Sequence, residues 1–288
     1  MHGSGARSGA AMCVGIAILT VVLSGAWPVS KARACPAEAK AKADALYKEA
    51  QELYFERLDH PENIKTAMAK AEEAVKICED QAPLWAWVSA LDFAMGESLP
   101  KESKADKDQR LDWFAKGEAA ADTALKLDPK NLDALYWKTS NMASAADTKG
   151  WASSLWMFST LMKNMQTIHD ADPHYGYGAV YRFWVEVQMR VPLFLAGKFG
   201  LDLQKDLIEP LTEEIKREPR YLPNYVYLAR VQWRTEDPKN REQALANLKI
   251  AITADPNALP AEKADNRVHQ AMARDLWKQW TGKDYPNQ

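Results

Sequence analysis

Residues 219–256 decide the fold, and they read PRYLPNYVYLARVQWRTEDPKNREQALANLKIAITADP. The stretch runs from Glu218-Pro219 to Asp255-Pro256 and holds two amphipathic segments around a polar turn, Glu236 to Arg241. Proline ends a helix because it has no N–H donor and its ring clashes with the preceding turn. The stretch therefore predicts two helices that pack as one hairpin.

The same acid–proline ending recurs along the chain. It stands at Asp128-Pro129, Asp172-Pro173, Glu218-Pro219 and Asp255-Pro256, and the four prolines lie 44, 46 and 37 residues apart. Each interval has room for two amphipathic helices, and periods of this size indicate stacked helical hairpins. We therefore predict an all-α protein, an α-solenoid of about five helical hairpins plus a C-terminal capping helix.

The apolar residues of the last hairpin follow a known repeat. The large-Leu-small positions of its first helix are held by Tyr225, Leu228 and Ala229. The Ala-large-Ala-Pro positions of its second helix are held by Ala244, Leu248, Ala251 and Pro256. Small residues belong where two helices approach closely, and large ones fill the space beside them. The solenoid is therefore expected to be tetratricopeptide-like.

We divide the chain into three parts. Residues 1–34 form a cleaved signal peptide, residues 35–282 form the helical-repeat domain, and residues 283–288 form a short, frayed tail. Inside the domain, Gly96 to Lys107 is polar and contains proline, which predicts a loop. A final helix, from about Ala261 to Trp280, is expected to cap the open end of the solenoid.

The N-terminus has the features of an export signal. Arg7 supplies the positive charge, Val14 to Ala26 form an apolar run of 13 residues, and Ala32-Arg33-Ala34 ends in a small-x-small cleavage pattern. The run is shorter than the ~20 residues that a membrane span needs. We therefore predict a periplasmic protein. A retained N-terminal anchor is the alternative, and a lipoprotein anchored through Cys35 is a further one.

Charge argues against nucleic acid as a partner. Without residues 1–34 the chain has 34 basic and 39 acidic residues and a net charge of −5. Binding to nucleic acid needs a basic stripe, which an acidic chain of this kind does not offer.

Two cysteines remain after cleavage, Cys35 and Cys78. They stand at the start of the first predicted helix and the end of the second, and these two ends are neighbours in an antiparallel hairpin. A disulfide that staples the first repeat is therefore expected, and an exported protein permits it. Two unpaired thiols are the alternative.

Residues Asp172 to Pro256 carry a family resemblance. They hold Arg190-Val191-Pro192, then Gly200-Leu201-Asp202, then Pro219-Arg220-Tyr221-Leu222, and finally Tyr227-Leu228-Ala229-Arg230. In these motifs the chain resembles the periplasmic T component associated with tripartite (TRAP) transporters. The resemblance implies a helical-hairpin protein that engages a solute-binding receptor, and it allows for a homo-oligomer and a hydrophobic ligand groove.

Sequence motifs for catalysis or metal binding are not found. The chain contains no G-x-S-x-G, G-x-x-x-x-G-K-[ST], H-E-x-x-H or G-x-G-x-x-G. His169 and His174 are close in sequence, but Pro173 lies between them at an expected helix end, which is typical of a hydrated turn. We therefore expect no enzyme, no metal and no cofactor.

Aromatic residues are frequent, with 11 tryptophans in the chain. First helices line the concave side of tetratricopeptide-like solenoids, so their aromatic and arginine residues are the candidate groove residues for a partner or ligand. These candidates are Trp87, Trp137, Tyr181, Trp184, Tyr225, Tyr227, Trp233, Arg182, Arg190 and Arg230. The alternative for each aromatic ring is packing between hairpins, and for each arginine it is a solvated surface.

Together these features favour an exported, non-catalytic helical-repeat scaffold that binds a protein partner. The specific candidate is a TRAP-type solute-binding receptor. The alternative is a periplasmic carrier that holds a small apolar ligand in an aromatic groove.

Overall fold

The computed structural model describes residues 34–150, 156–190 and 202–285. Within those residues the chain forms eleven α-helices. They are α1 (Ala37–Phe55), α2 (Asn63–Ile77), α3 (Ala82–Glu97), α4 (Lys104–Leu127), α5 (Leu132–Lys149), α6 (Phe158–Ala171), α7 (Tyr175–Arg190), α8 (Glu209–Arg217), α9 (Pro223–Arg234), α10 (Pro238–Thr253) and α11 (Lys263–Thr281). A π-helical turn, Leu203–Ile208, precedes α8, and a 3₁₀ turn, Pro260–Glu262, precedes α11.

The helices pack as successive hairpins. α1 packs on α2, α3 on α4, α5 on α6, α7 on α8 and α9 on α10, while α11 packs on both helices of the last hairpin. Neighbouring first helices also contact each other, as α3 does with α5. The prediction of an all-α, tetratricopeptide-like solenoid of five hairpins with a capping helix is confirmed.

The acid–proline pairs end helices by a shared mechanism. Asp128, Asp172 and Glu218 are the C-cap residues of α4, α6 and α8, with ψ angles of 96°, 99° and 83°. Proline forces this extended backbone on the residue before it. In all four pairs, Asp255-Pro256 included, the carboxylate accepts a hydrogen bond from the backbone N–H two residues later, at 2.9 to 3.1 Å. The pair therefore both stops the helix and shapes the turn.

Alanines occupy the places where helices approach each other. The tetratricopeptide positions Ala244, Leu248 and Ala251 of α10 have no solvent exposure. The second helices of the first two hairpins show the same pattern at Ala67, Ala71, Ala74, Ala120, Ala121 and Ala124, each 5 % exposed or less. A small side chain lets two helices come close, so the interior of this solenoid is built on short contacts between helices.

The loop predicted from Gly96 to Lys107 is shorter than expected. It covers only residues 98–103, because Ser103 and Asp106 form a capping box that starts α4 early. Arg110 anchors the start of the loop, because its buried guanidinium donates to the carbonyl oxygens of Gly96 and Leu99 at 2.7 and 2.8 Å.

The residues that follow the last helix begin with a glycine cap. α11 ends at Thr281, and the next residue, Gly282, adopts the left-handed conformation that favours glycine after a helix. Beyond it, the ring of Tyr285 packs edge-on against Trp277, with 4.9 Å between centroids. Tyr285, in the predicted tail, therefore lies against α11, and the fraying of residues 283–288 stays a prediction.

Some predictions fall on residues outside the described ranges. These are the signal peptide up to Arg33, the resemblance motifs at residues 191–192 and 200–201, and the last three residues of the tail. Among the helices of the described ranges, none is both long enough and apolar enough to span a membrane.

Candidate functional site

The first hairpin and the last helix meet through ion pairs. Arg57, just after α1, donates from Nη2 to Oδ1 of Asp265 in α11, at 2.5 Å. Two further pairs flank this contact: Lys263 with Glu56 at 2.5 Å, and Arg267 with Asp59 at 2.7 Å. The two ends of the repeat domain are therefore joined, and first helices from separate hairpins are brought to face one another.

The carboxylate of Asp265 shows how closely the first helices and α11 approach one another here. Its charge acts on the pKa values of side chains from α1, α5, α7 and α11 and from the turn before α9. We call the side chains gathered here the inner wall. It consists of Tyr54, Arg57, Tyr136, Arg182, Tyr221, Tyr227, Glu262, Asp265 and His269.

Most of the inner wall is neither core nor open surface. Tyr221 is only 5 % exposed, whereas the other members are half-buried. Burial raises the pKa of Tyr54 to about 12, against a weaker opposing effect of Arg57. Burial likewise raises the pKa of Tyr136, Tyr221 and Tyr227. These hydroxyls stay neutral at ordinary pH and are available as hydrogen-bond donors and acceptors.

Arg182 is the central cation of the inner wall. Its guanidinium donates to the carbonyl oxygens of Tyr177 and Gly176 at 2.7 and 2.8 Å, and to Oδ1 of Asn224 at 2.8 Å. It also lies over the ring of Tyr221, 4.8 Å from the centroid. All three acceptors are neutral, and among the described residues no carboxylate comes within ion-pair distance of Arg182.

The backbone that Arg182 holds is unusual. Gly176, Tyr177 and Gly178 have φ angles of 54°, 56° and 78°, so three successive residues adopt the left-handed conformation at the start of α7. This conformation costs a non-glycine residue such as Tyr177 free energy. The ring of Tyr177 stacks on Tyr221 with 4.6 Å between centroids, and the hydrogen bonds from Arg182 add to that support.

Glu262 is the unmatched acid of the inner wall. Its side chain makes no ion pair and no hydrogen bond with any other described residue. Burial, followed by the charge of Asp265, raises its pKa to about 7, although Arg182 and Arg57 act in the opposite direction. The carboxyl of Glu262 therefore keeps its proton to a higher pH than an exposed glutamate does.

Beside the inner wall lies a matched network. Glu186 in α7 accepts hydrogen bonds from Arg230 in α9 and from Arg190 one turn along its own helix. Burial by itself raises the pKa of Glu186, but the two guanidinium groups outweigh it and lower the pKa to about 2. Arg230 extends over the ring of Tyr227 at 5.2 Å, which connects this network to the inner wall.

The predicted groove residues separate into groups. Arg182 and Tyr227 belong to the inner wall, and Arg230 lies next to it. Trp87 and Trp137 are half-buried in contact with inner-wall tyrosines: Trp87 meets the edge of Tyr54 at 5.4 Å, and Trp137 meets Tyr136 at 5.1 Å.

Other predicted groove residues lie elsewhere. Tyr181, Trp184 and Tyr225 are 6 to 7 % exposed and belong to the hydrophobic core, because they lie on the faces of α7 and α9 that meet their own hairpins. Arg190 is exposed and paired with Glu186. Trp233 stacks on Trp280 of α11 at 4.3 Å, so it packs against the capping helix.

Sequence reasoning missed several members of the inner wall. Tyr54, Tyr136, Glu262 and Asp265 were not among the candidates. Tyr54 and Tyr136 could have been found, because they lie on first helices, as the predicted groove residues do. The acids follow the last hairpin, and only the contact between the two ends of the domain brings them to the inner wall.

The expected disulfide between Cys35 and Cys78 is present, with 5.4 Å between Cα atoms. It joins the start of α1 to the C-cap of α2, and the backbone N–H of Cys35 donates to Asp80 at 2.9 Å. Within the described ranges, this trio is the one group of three potential metal-ligating side chains, and the disulfide occupies both sulfur atoms.

The two predicted turn histidines have separate environments. Nδ1 of His174 lies 2.5 Å from Oε1 of the buried Glu214. His169 packs on the ring of Trp184 at 5.4 Å.

Comparison with known proteins gives a limited result. No protein family model matches the chain, and no curated protein matches it. Among solved structures, a MamA RS-1 ArsTM double mutant has 13 % identity and a TM-score of 0.41, covering 73 % of this chain and 94 % of that one. YrrB, a TPR protein with an unusual peptide-binding site, has 14 % identity and a TM-score of 0.35, covering 79 % of this chain and 98 % of that one.

Proposed function

We propose that this protein is a non-catalytic helical-repeat scaffold that binds a segment of a protein partner against its inner wall. The observation that carries the proposal is the convergence of half-buried tyrosine and arginine side chains from separate first helices. Tyrosine and arginine are enriched at binding hot spots because each combines a large contact area with hydrogen-bonding groups.

The specific partner that we propose is a TRAP-type solute-binding receptor in the periplasm. The resemblance over residues 172–256 and the export signal at residues 1–34 support it. The disulfide between Cys35 and Cys78 is in keeping with an oxidising compartment.

The inner wall is less suited to a purely apolar ligand. Arg182 and Glu262 each lack a charged partner within ion-pair distance in the described part of the chain, and an apolar molecule would bury both charges without compensation. Burying an unpaired charge is costly. The structure thus favours a partner that brings polar groups of its own.

The proposal is tested by capture from the periplasm of the native cell. The exported protein is immobilised, crosslinked to a periplasmic extract, and the recovered proteins are identified by mass spectrometry. We expect enrichment of one solute-binding receptor. Recovery of a different single protein would retain the scaffold and reject the receptor, whereas recovery of no protein above background would reject both.

A matched pair of variants connects the partner to the inner wall. Tyr136→Ala with Tyr227→Ala removes two inner-wall rings, and we expect at least tenfold less captured partner. Ile250→Ala changes an exposed apolar residue of α10 and serves as the control, with capture unchanged. Equal capture by both variants would place the partner elsewhere on the protein.

A further inference from the structure

A groove lies beside the ion pairs that join the first hairpin to the capping helix. It has a volume of about 640 Å³ and is lined by α1, by Lys70 of α2, and by Pro260 and Lys263 at the start of the C-terminal element. We call it the end groove, because residues from the two ends of the repeat domain line it. None of these residues belongs to the inner wall. Its volume falls in the range of about 300 to 1,000 Å³ that is typical of ligand clefts.

Part of the end groove is apolar and open to solvent. Leu53 and Phe55, in the last turn of α1, are half-buried, and Pro260 is exposed. Apolar surface of this kind is stabilised when a partner covers it and removes it from water. The end groove therefore favours an occupant that has apolar groups of its own.

Charged side chains line the same groove. Glu49, Glu52 and Glu56 occupy positions i, i+3 and i+7 of one helix, so they share a face and extend over about 10 Å. Lys70 pairs with Glu49 at 2.5 Å, and Lys263 pairs with Glu56 at 2.5 Å. Three carboxylates and two ammonium groups thus line the groove, which leaves one negative charge in excess.

Glu52 carries that excess charge. Among the described residues its one ion pair is with Lys48, which lies outside the groove at 4.0 Å and has 77 % of its side chain exposed. An exposed pair of this kind contributes little to stability, so Glu52 loses little by exchanging Lys48 for another cation. Glu52 is therefore the point at which the end groove is complementary to a positive charge.

The arrangement of the carboxylates does not suit a metal ion. A calcium ion needs six to eight oxygen ligands that converge on one point. Here two of the three carboxylates are paired with lysines, and no three potential ligands of the groove come close together within the described part of the chain. An elongated occupant, with a positive charge at one point and apolar groups beside it, matches the end groove better.

We propose that the end groove binds an arginine side chain of the protein partner, in a short segment where apolar residues flank the arginine. The guanidinium pairs with Glu52, and the apolar groups pack on Leu53, Phe55 and Pro260. Arginine suits this place because its planar fork matches a carboxylate, while its aliphatic stem packs along apolar surface. The end groove is a second contact surface of the scaffold, and its biological role rests on the proposed function.

Three short peptides separate the contributions of charge and apolar contact. The first is acetyl-Gly-Leu-Arg-Leu-Gly-amide. The second replaces its arginine by citrulline, which keeps the shape and removes the charge, and the third replaces both leucines by glycine. Each is titrated into the exported protein by isothermal calorimetry at neutral pH, with no partner protein present. We expect the first peptide to bind at least fivefold more tightly than either of the others.

The proposal is overturned if the citrulline peptide or the glycine peptide binds as tightly as the first. It is equally overturned if none of the three binds at concentrations up to about 10 mM, below which specific recognition is expected. Because the titrations contain no other protein, their failure leaves the capture experiment unaffected, and failure of the capture leaves the titrations unaffected.

Three substitutions locate the bound peptide. The side chain of Glu52 makes no hydrogen bond within the described structure, so Glu52→Gln leaves the fold intact. We expect it to weaken the arginine peptide at least fivefold and to leave the citrulline peptide unchanged. Glu242→Gln, on an exposed position of α10, changes the net charge equally and is the control, with both affinities unchanged.

Glu262→Gln tests the inner wall as the alternative place for the arginine. This substitution removes the unmatched acid there, and we expect the affinity of the arginine peptide to stay the same. A loss of affinity in Glu262→Gln, or an unchanged affinity in Glu52→Gln, would overturn the assignment to the end groove.

Discussion

Arg57 and Asp265 are 208 positions apart in the sequence, yet Nη2 of the arginine lies 2.5 Å from Oδ1 of the aspartate. This pair joins the first hairpin to the capping helix. The arginine side chain is only 12 % exposed and lies over the ring of Tyr54 at 3.9 Å, so its charge is partly shielded from water. The contact therefore stabilises the arrangement more than an ordinary surface ion pair does.

A double-mutant cycle measures this contact. Arg57→Ala and Asp265→Ala, alone and together, should give a coupling energy of about 1 kcal/mol in urea unfolding. The exposed pair of Lys40 and Asp44 in α1 is the control, and its coupling should stay below about 0.5 kcal/mol. Equal coupling energies for the two pairs would show that the ion pair of Arg57 and Asp265 contributes no more to stability than an exposed one.

Glu186 predicts a loss of stability in acid. Its pKa is lowered to about 2 in the folded protein from an ordinary value of 4.5, because Arg230 and Arg190 stabilise the carboxylate against the effect of burial. The stabilisation is present above pH 4.5 and is lost as the pH falls towards 2. Glu186→Gln should cost about 2 kcal/mol at pH 7, and urea unfolding should show this difference shrink at pH 3. A constant difference would contradict the assignment.

Glu262 predicts the opposite pH dependence of stability, with a loss as the pH rises. Its pKa is raised from 4.5 to about 7 on folding, mainly by burial, so the unfolded chain releases this proton more easily than the folded one. The penalty is absent below pH 4.5, grows as the pH rises, and is complete above 7. Glu262→Gln should therefore stabilise the protein by about 1 to 2 kcal/mol at pH 8 and have little effect at pH 4. Thermal melts at the two pH values provide the check.

Gly178 predicts a sensitive position in the backbone. It has a φ of 78°, and an added Cβ would lie 2.7 Å from Cγ of the buried Glu214. Gly178→Ala should lower the free energy of unfolding by about 2 to 4 kcal/mol, through strain and a clash together. Gly282→Ala has a similar φ of 71° with open space around it and should cost about 1 kcal/mol. Similar costs for the two would mean that α7 shifts to make room.

The disulfide predicts a dependence on reductant. The bridge between Cys35 and Cys78 spans 43 residues, so it removes much freedom from the unfolded chain. Cys35→Ser with Cys78→Ser should lower the free energy of unfolding by about 2 to 4 kcal/mol. Reductant should destabilise the wild type by a similar amount and leave the double variant unchanged. An effect of reductant on the double variant would point to another cause.

The sequence alone determined the hairpins, because the signals for them are local. An acid followed by proline stops a helix, and its carboxylate accepts a hydrogen bond from the backbone N–H two residues later, as at Asp128 and Asp172. The alanine and leucine spacing of α10 predicts which face packs. The position of the disulfide followed from the same reasoning, because two cysteines at neighbouring ends of a hairpin are close in any such fold.

The candidate site was only partly accessible to that reasoning. Arg182 and Tyr227 were predicted from their place on first helices, but Tyr181, Trp184 and Tyr225 were expected in the same groove and lie in the core. Aromatic rings two positions apart on a helix, such as Tyr225 and Tyr227, point in different directions. Which direction meets a neighbouring hairpin depends on the rotation of the helix, and spacing along one chain does not reveal it.

The tertiary structure alone decided how the two ends of the domain meet. Glu56, Arg57 and Asp59 look like ordinary surface charges of the first hairpin, and their partners in α11 follow more than 200 residues later. These residues meet because the solenoid curves, and the curvature results from a small rotation at every junction between hairpins. No local sequence motif encodes the total rotation. The charge of Arg182 therefore acts on the pKa of Glu262 only in the folded chain, and the inner wall forms only there.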